Sequence, residues 1–228
     1  MKRLTNILLL LLMCACLLCT VASAVTDRED NSSSAKAQPL NLGETIDGTI
    51  TLHDIDYYRF TMKASGKVTL DMTSYMQYYC LNVYDESGNL MWEVNKKEWN
   101  SALGFRNDAY ALYLEAGTYV LGVNGYRHAN YEPSAGTYTL KTAYESANAT
   151  EKEENDNYAN ANTLDLNGSV TGLIGLNDQY DFYKLDMAKS GCLTFDITSY
   201  MQYYCLDIYD YLYASIMLFQ LQEIFSKF

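Results

Sequence analysis

Histidine is scarce in this chain: His53 and His128 are the only two in 228 residues. Neither sits in a ligand spacing such as His-x-x-x-His, which excludes the commonest zinc arrangements. No Gly-x-Ser-x-Gly elbow is present, so a hydrolase built on that turn is excluded too. Cys80 with His128 is the one conceivable nucleophile pair. Cys80 falls inside a strand pattern, however, and its counterpart Cys205 has no histidine downstream. Basic residues are also few, 16 against 28 acidic ones, for a net charge of −12. That balance argues against a nucleic-acid or anionic-membrane partner. It leaves many carboxylates free for a hard cation such as calcium. No carboxylate pair is marked out as catalytic, and the chain reads as a non-enzyme.

Long apolar runs are absent after the first twenty residues. Lys2 and Arg3 precede the apolar stretch Ile7 to Cys19, which is short for a membrane span. Ala22-Ser23-Ala24 follows as a small-x-small cleavage site. Residues 1–24 therefore read as a signal peptide, with a mature chain from Val25, secreted and without a transmembrane segment. The alternative is a lipid anchor on Cys16. Three of the six cysteines leave with the signal; Cys80, Cys192 and Cys205 remain. Cys80 and Cys205 occupy one position in two copies, which makes buried strand thiols the plain reading. Cys192 with Cys205 is the sole pair within one copy.

What is present is a repeat. Thr73 to Leu81 (Thr-Ser-Tyr-Met-Gln-Tyr-Tyr-Cys-Leu) recurs letter for letter as Thr198 to Leu206, 125 residues later. Asp181-Phe182-Tyr183-Lys184-Leu185 answers Asp56-Tyr57-Tyr58-Arg59-Phe60, and Gly191 answers Gly66. In the first copy, short β-type segments follow one another at regular intervals. Thr45 to Leu52 carries Gly48 as an expected bulge or bend, and Asp56 to Met62 follows. Val68, Leu70 and Met72 alternate with polar residues, and Tyr79, Leu81 and Val83 share one face. Leu112, Leu114, Tyr119 to Val123 and Thr137 to Lys141 complete the set, with turns at 64–66, 85–89, 115–117 and 134–136. Seven or eight such strands in about 105 residues, with no helix pattern, predict an all-β sandwich. Only Lys96 to Ala109 fits no element clearly.

The organisation that follows is a signal peptide (1–24), a polar linker (25–37) and a first β-sandwich (38–143). An acidic, Asn-rich linker (144–163), a partial second repeat (164–210) and a divergent apolar tail (211–228) come after. The tail contains no Gly, Pro, Asn or Asp. It reads as a frameshift or truncation product, or as a helix capping the open half-sandwich.

In order and spacing, these segments resemble the bacterial pre-peptidase C-terminal (PPC) domain. The pattern is carried by Glu151-Lys152-Glu153-Glu154-Asn155-Asp156, Leu40-Asn41-Leu42-Gly43, Asp56 to Phe60 and Ser65-Gly66. Tyr84-Asp85-Glu86-Ser87-Gly88-Asn89 and Ala116-Gly117-Thr118-Tyr119 extend it. The likeness covers the first copy and half of the second. It implies a jelly-roll-like β-sandwich of the kind appended to secreted peptidases, related to the collagen-binding domain of clostridial collagenases. It also implies calcium ligands, matched in the second copy by Glu151, Glu153, Asn155, Asp156, Asp178 and Asp181. The first copy departs from that set: Asp27, Glu29 and Asn31 are followed by Ser32, and His53 stands opposite Asp178. Taken simply as a run of charge, the same acids are a solvated linker.

Twenty-two tyrosines suit strand surfaces that are half wet. Tyr75 and Tyr78, with their repeats Tyr200 and Tyr203, fall in or beside a loop and are the candidate ligand contacts. The expectation is a secreted module that binds an extracellular polymer or protein, or assists an exported enzyme. The alternative is a fragment of a secreted peptidase or other hydrolase whose catalytic domain is missing.

Overall fold

The computed structural model describes residues 24–96, 104–125, 134–176, 178–201, 203–209 and 215–221. The signal-peptide reading, except for its last residue Ala24, and His128 lie outside these. Two compact units are distinguished, Met1–Asp186 and Met187–Phe228. The first holds the sandwich. Its strands are β1 (Val25–Thr26), β2 (Gln38–Pro39), β3 (Thr45–Ile50), β4 (Ile55–Met62), β5 (Gly66–Ser74) and β6 (Tyr79–Asp85). They continue with β7 (Leu90–Lys96), β8 (Arg106–Leu114), β9 (Gly117–Asn124) and β10 (Gly136–Ser146). One sheet runs β1-β3-β10-β5-β8 and the other β2-β4-β9-β6-β7. The chain switches sheet at almost every step, which gives a jelly-roll-like sandwich. Among the described residues no helix is long and apolar enough to cross a membrane; the one helical element is a 3-10 turn at Ser34–Lys36.

The core follows from period-two alternation. Val68, Leu70 and Met72 point inward from β5, and Tyr58, Phe60 and Met62 from β4. Tyr79, Leu81 and Val83 on β6 are buried together, as their shared face requires. They meet Leu121 and Val123 of β9 and Leu140 of β10 in one cluster. β7 and the first part of β8 escaped the sequence reading. In β7, the apolar run Leu90-Met91-Trp92 is broken by Glu93, and β8 begins inside the stretch that fitted no element. Both are edge strands, whose half-wet faces blur the alternation.

Gly48 is neither a bulge nor a bend. It lies in an unbroken ladder opposite Tyr138, and a Cβ there would sit 2.4 Å from the tyrosine ring. The glycine is needed because Tyr138, itself fully buried, lies across its backbone.

The end of the first unit echoes its beginning. β11 (Asn162–Thr163) pairs in parallel with β12 (Tyr183–Lys184). β2 and β4 pair likewise, Gln38 with Tyr58. In the second unit β13 (Tyr204–Tyr209) pairs antiparallel with β14 (Ser215–Leu221), Tyr204 opposite Leu221, with an irregularity at Ile208/Tyr209. The β6–β7 hairpin sets Tyr79 opposite Lys96, with its irregularity at Val83/Tyr84. Gln38 and Asn162 are 124 residues apart, and each of the other positions is displaced by 125. The described part of the tail is therefore a strand and not a helix: 215–221 holds the place beside β13 that β7 holds beside β6. A strand edge offers unpaired N–H and C=O groups, and pairing them outweighs the weak local preference of the tail.

Gly48→Val should force the Tyr138 ring out of its seat. We expect a loss of about 1–3 kcal/mol, measured as a lower urea midpoint with an unchanged slope. A midpoint equal to wild type would contradict the packing described.

Candidate metal centre

The acidic lead-in of the second repeat is held by backbone bonds before any ligand chemistry is considered. Thr150 N–H and Glu151 N–H both donate to the Thr171 carbonyl, at 2.7 and 3.3 Å. Phe182 N–H donates to the Asn155 carbonyl at 3.0 Å. Asn162 clamps Lys152, accepting its N–H at 3.1 Å and donating to its carbonyl at 2.8 Å. The Glu151 carboxylate then accepts from Leu173 N–H at 2.6 Å and the Tyr183 hydroxyl at 2.5 Å. Gly172 closes this floor, since a Cβ there would lie 2.6 Å from Glu151 Oε2 and 2.9 Å from Asp181 Oδ2.

Among the described residues two groups of acids converge, Glu151–Glu153–Asp181 and Glu115–Glu153–Asp178, each with its ligand oxygens within 4.8 Å of one another. Asn155 and Asp178 are buried, 0% and 1% exposed. Asn155 Oδ1, Asp178 Oδ2 and Asp181 Oδ1 are buried with no hydrogen-bond partner. None of the salt bridges among the described residues reaches the cluster. Burial, then the neighbouring Glu151, Asp178 and Glu153 charges, push Asp181 up to about 8. The same causes, burial first and then Glu151 and Asp178, raise Glu153 to about 7. Burial also lifts Asp178 to about 6, against the Tyr180 N–H bond that lowers it.

Unpaired buried oxygens and mutually repelling carboxylates are costly unless something positive sits among them. The donor set is all oxygen, flexible and anionic, which fits a hard divalent cation such as calcium. Of the six residues drawn from the sequence, Glu151, Glu153, Asp178 and Asp181 join the two groups. Asn155 is buried beside Glu151, donating to its Oε2 at 3.4 Å. Asp156 is exposed and belongs to neither group. Glu115 was not foreseen. It stands in a turn of the first sandwich, and nothing in the local sequence separates it from any other turn acid.

The corresponding place in the first repeat is finished differently. Tyr58 donates to Asp27 at 2.7 Å, Tyr138 bonds Asp56 at 2.7 Å, and the two hydroxyls lie 2.5 Å apart. Tyr138 is the donor to Asp56, and Asp27 Oδ2, Asn31 Oδ1 and Asp56 Oδ1 are buried there without a hydrogen-bond partner. Burial is the main cause that raises Asp56 to about 7, with the Tyr138 bond opposing and Asp27, Asp54 and Glu29 adding to it.

The tyrosines divide. Tyr75 is 52% exposed and lies 5.9 Å from the Phe105 ring. Tyr78 is half-buried, its N–H donating to Ser134 Oγ at 3.0 Å. In the second unit Tyr200 and Tyr203 are 95% and 66% exposed. Cys80, Cys192 and Cys205 are free thiols. Burial, reinforced by Glu93, pushes the Cys80 thiol up to about 12, the opposite of an activated nucleophile.

No family model and no curated protein matches the chain. Among solved structures it is similar to the pre-peptidase C-terminal domain of a collagenase from Bacillus anthracis. That alignment has 18% identity and a TM-score of 0.34, over 53% of this chain and 96% of that one. A cycloisomaltooligosaccharide glucanotransferase from Paenibacillus sp. aligns at 16% identity and a TM-score of 0.30, over 53% of this chain and 18% of that one. A GH26-CBM35 β-(1,4)-mannanase from Podospora anserina aligns at 17% identity and a TM-score of 0.24, over 48% of this chain and 23% of that one. Scores this low carry no functional weight, and the chemistry of the site rests on its own residues.

The Asp56 proton has a measurable consequence. Between pH 3.8 and about 7 the native chain holds a proton that the unfolded chain has released, so stability falls as pH rises through that window. Asp56→Asn should flatten the slope by up to about 1.4 kcal/mol per pH unit, measured by urea denaturation at pH 4, 5.5 and 7.5 in chelator. Equal slopes in the two proteins would contradict the assignment.

Proposed function

We propose that this chain is a secreted, non-catalytic β-sandwich module. It attaches to an extracellular polymer or protein, or supports an exported enzyme, and calcium orders its acidic segment. The observation that supports this best is the set of buried, unpartnered oxygens on Asn155, Asp178 and Asp181. A cation among them would give each of these oxygens a partner, which supports the calcium reading. Glu151, Glu153, Asn155 and Asp181 are the ligands proposed at the centre, with Asp178 beside them and Asp156 at the exposed rim. Calcium here neutralises charge and fixes a loop; no reaction is assigned to it. The secreted setting rests on the reading of residues 1–24, and the PPC resemblance agrees with an appended module.

The ligand surface is assigned to exposed tyrosine. Tyr75 with Phe105 offers two adjoining aromatic faces, and Tyr200 and Tyr203 offer two more in the second unit. Aromatic faces in water bind sugar rings and apolar polymer surfaces at little conformational cost.

Calcium at about 100 times its dissociation constant should stabilise the protein by about 2.7 kcal/mol. Asp181→Asn should remove most of that gain, read as the difference in melting temperature between calcium and chelator. An identical calcium shift in the variant would discard this centre. Co-sedimentation with insoluble collagen, peptidoglycan, cellulose and chitin tests the attachment. Retention on one of them, greater in calcium and weakened by Tyr75→Ala, is the expected outcome. Failure of folded protein to bind any would overturn polymer attachment and favour enzyme support or the hydrolase-fragment reading.

A further inference from the structure

β13 repeats a strand that the first copy places inside a sheet, yet among the described residues it has one open edge. Tyr204-Cys205-Leu206-Asp207-Ile208-Tyr209 matches Tyr79-Cys80-Leu81-Asn82-Val83-Tyr84 in four letters of six, with Asp for Asn and Ile for Val. In the first copy β6 lies between β7 and β9. Its pairs across β9 include Cys80 with Asn124, Leu81 with Val123 and Val83 with Leu121. Among the described residues β13 has β14 as its one neighbour, in the place that β7 takes beside β6. The edge that corresponds to the β9 side has no strand beside it there. Burial follows the pairing. Tyr79, Leu81 and Val83 are 1%, 0% and 0% exposed, whereas Tyr204, Leu206 and Ile208 are half-buried. β9 cannot serve both copies, since β4 and β6 already take its two edges. Nor is the open edge blunted: 204–209 contains no Lys, Arg or Pro, the residues that commonly protect one.

We propose that the open edge of β13 pairs with β13 of a second copy of this chain, antiparallel about a twofold axis at Leu206. The strand is complementary to itself in that register. Residues opposed across an antiparallel pair share a face of the sheet. Leu206 then meets Leu206 of the second copy. Tyr204 meets Ile208 on the same face, an aromatic–β-branched pair of the kind that stabilises sheets. On the other face Cys205 meets Asp207, much as Cys80 stands opposite the polar Asn124 in the first copy. Asp207 Oδ1 is buried with no hydrogen-bond partner, and a thiol directly across can donate to it. Moving the axis to Asp207 would set two like charges opposite each other. Moving it to Cys205 would carry Ile208 past the start of the strand at Tyr204. The assembly closes at two chains, because the outer side of β14 corresponds to that of β7, an edge in the first copy as well.

The test is sedimentation velocity on the chain from Val25 onward, at about 1 μM to 1 mM and in reductant, which keeps the free thiols from linking chains. Wild type is expected to pass from the mass of one chain to twice that mass as concentration rises. Leu206→Lys and Leu206→Glu each set like charges opposite one another. Each alone should stay a single chain over the same range. Mixed in equal amounts they should pair again, because position 206 then meets its opposite charge. Mixing does not rescue a variant that has failed to fold, so the mixture separates lost pairing from lost folding. A single-chain mass for wild type at every concentration would overturn the second copy as occupant and leave the edge to a strand of another protein. Pairing of Leu206→Lys or Leu206→Glu alone would overturn it too. So would a mixture that stays single beside a paired wild type, or open-ended aggregation in place of a closed pair.

Discussion

Oxygen atoms removed from water without a partner are the constraint around which the acidic segment is arranged. Asn155 Oδ1, Asp178 Oδ2 and Asp181 Oδ1 could each have faced solvent in a linker this polar. The backbone instead turns them inward. Asn162 clamps Lys152, Phe182 N–H holds the Asn155 carbonyl, and Gly172 keeps its surface bare so that Glu151 and Asp181 can lie against it. Each restraint would be spent on an unfavourable arrangement if the charges it gathers stayed uncompensated. A divalent cation of the kind proposed would turn the same geometry into a stabilising one by giving the inward oxygens a partner.

The two repeats show what the alternative looks like. Gly48 and Gly172 occupy matching positions, each beneath the group that closes the site. Over Gly48 lies the Tyr138 ring, whose hydroxyl bonds Asp56 and touches Tyr58. Over Gly172 lie the Glu151 and Asp181 carboxylates, the first of them accepting from the Tyr183 hydroxyl. Both repeats bury acid oxygens without partners, Asp27 Oδ2 and Asp56 Oδ1 in the first and Asp178 Oδ2 and Asp181 Oδ1 in the second; the first sets a pair of tyrosine hydroxyls against its acids and the second gathers further carboxylates. Their strands diverge as well. Met72 and Met76 are 1% exposed, whereas their counterparts Ile197 and Met201 are 44% and 37% exposed. The sandwich positions of the second repeat keep apolar side chains even where no sheet covers them among the described residues.

Much of the sandwich was legible because alternation of period two is a direct imprint of a half-buried strand. Val68, Leu70 and Met72, or Tyr79, Leu81 and Val83, could face only one way. β7 and the start of β8 were hidden because edge strands tolerate polar residues on both faces. The helical option for the tail was wrong for a related reason. Ser215–Leu221 shares almost no letters with Leu90–Lys96, and only the pairing with β13 makes it a strand. Most of the cluster was visible, since Glu151, Glu153, Asp178 and Asp181 were among the acids that the resemblance in sequence picked out. Glu115 was not, because an acid brought in by tertiary contact leaves no mark on neighbouring residues. Gly48 shows the same limit: the sequence displays the glycine, but the ring that requires it lies ninety residues away.

Amide hydrogen exchange with calcium and with chelator tests the central claim most directly. The account predicts that amides at 150–156 and 171–182 gain protection when calcium is added. Those of β5 and β6 should exchange at the same rate in both conditions. Equal exchange of the 150–182 amides with and without calcium would contradict it, since the buried oxygens would then be held in place by the protein alone.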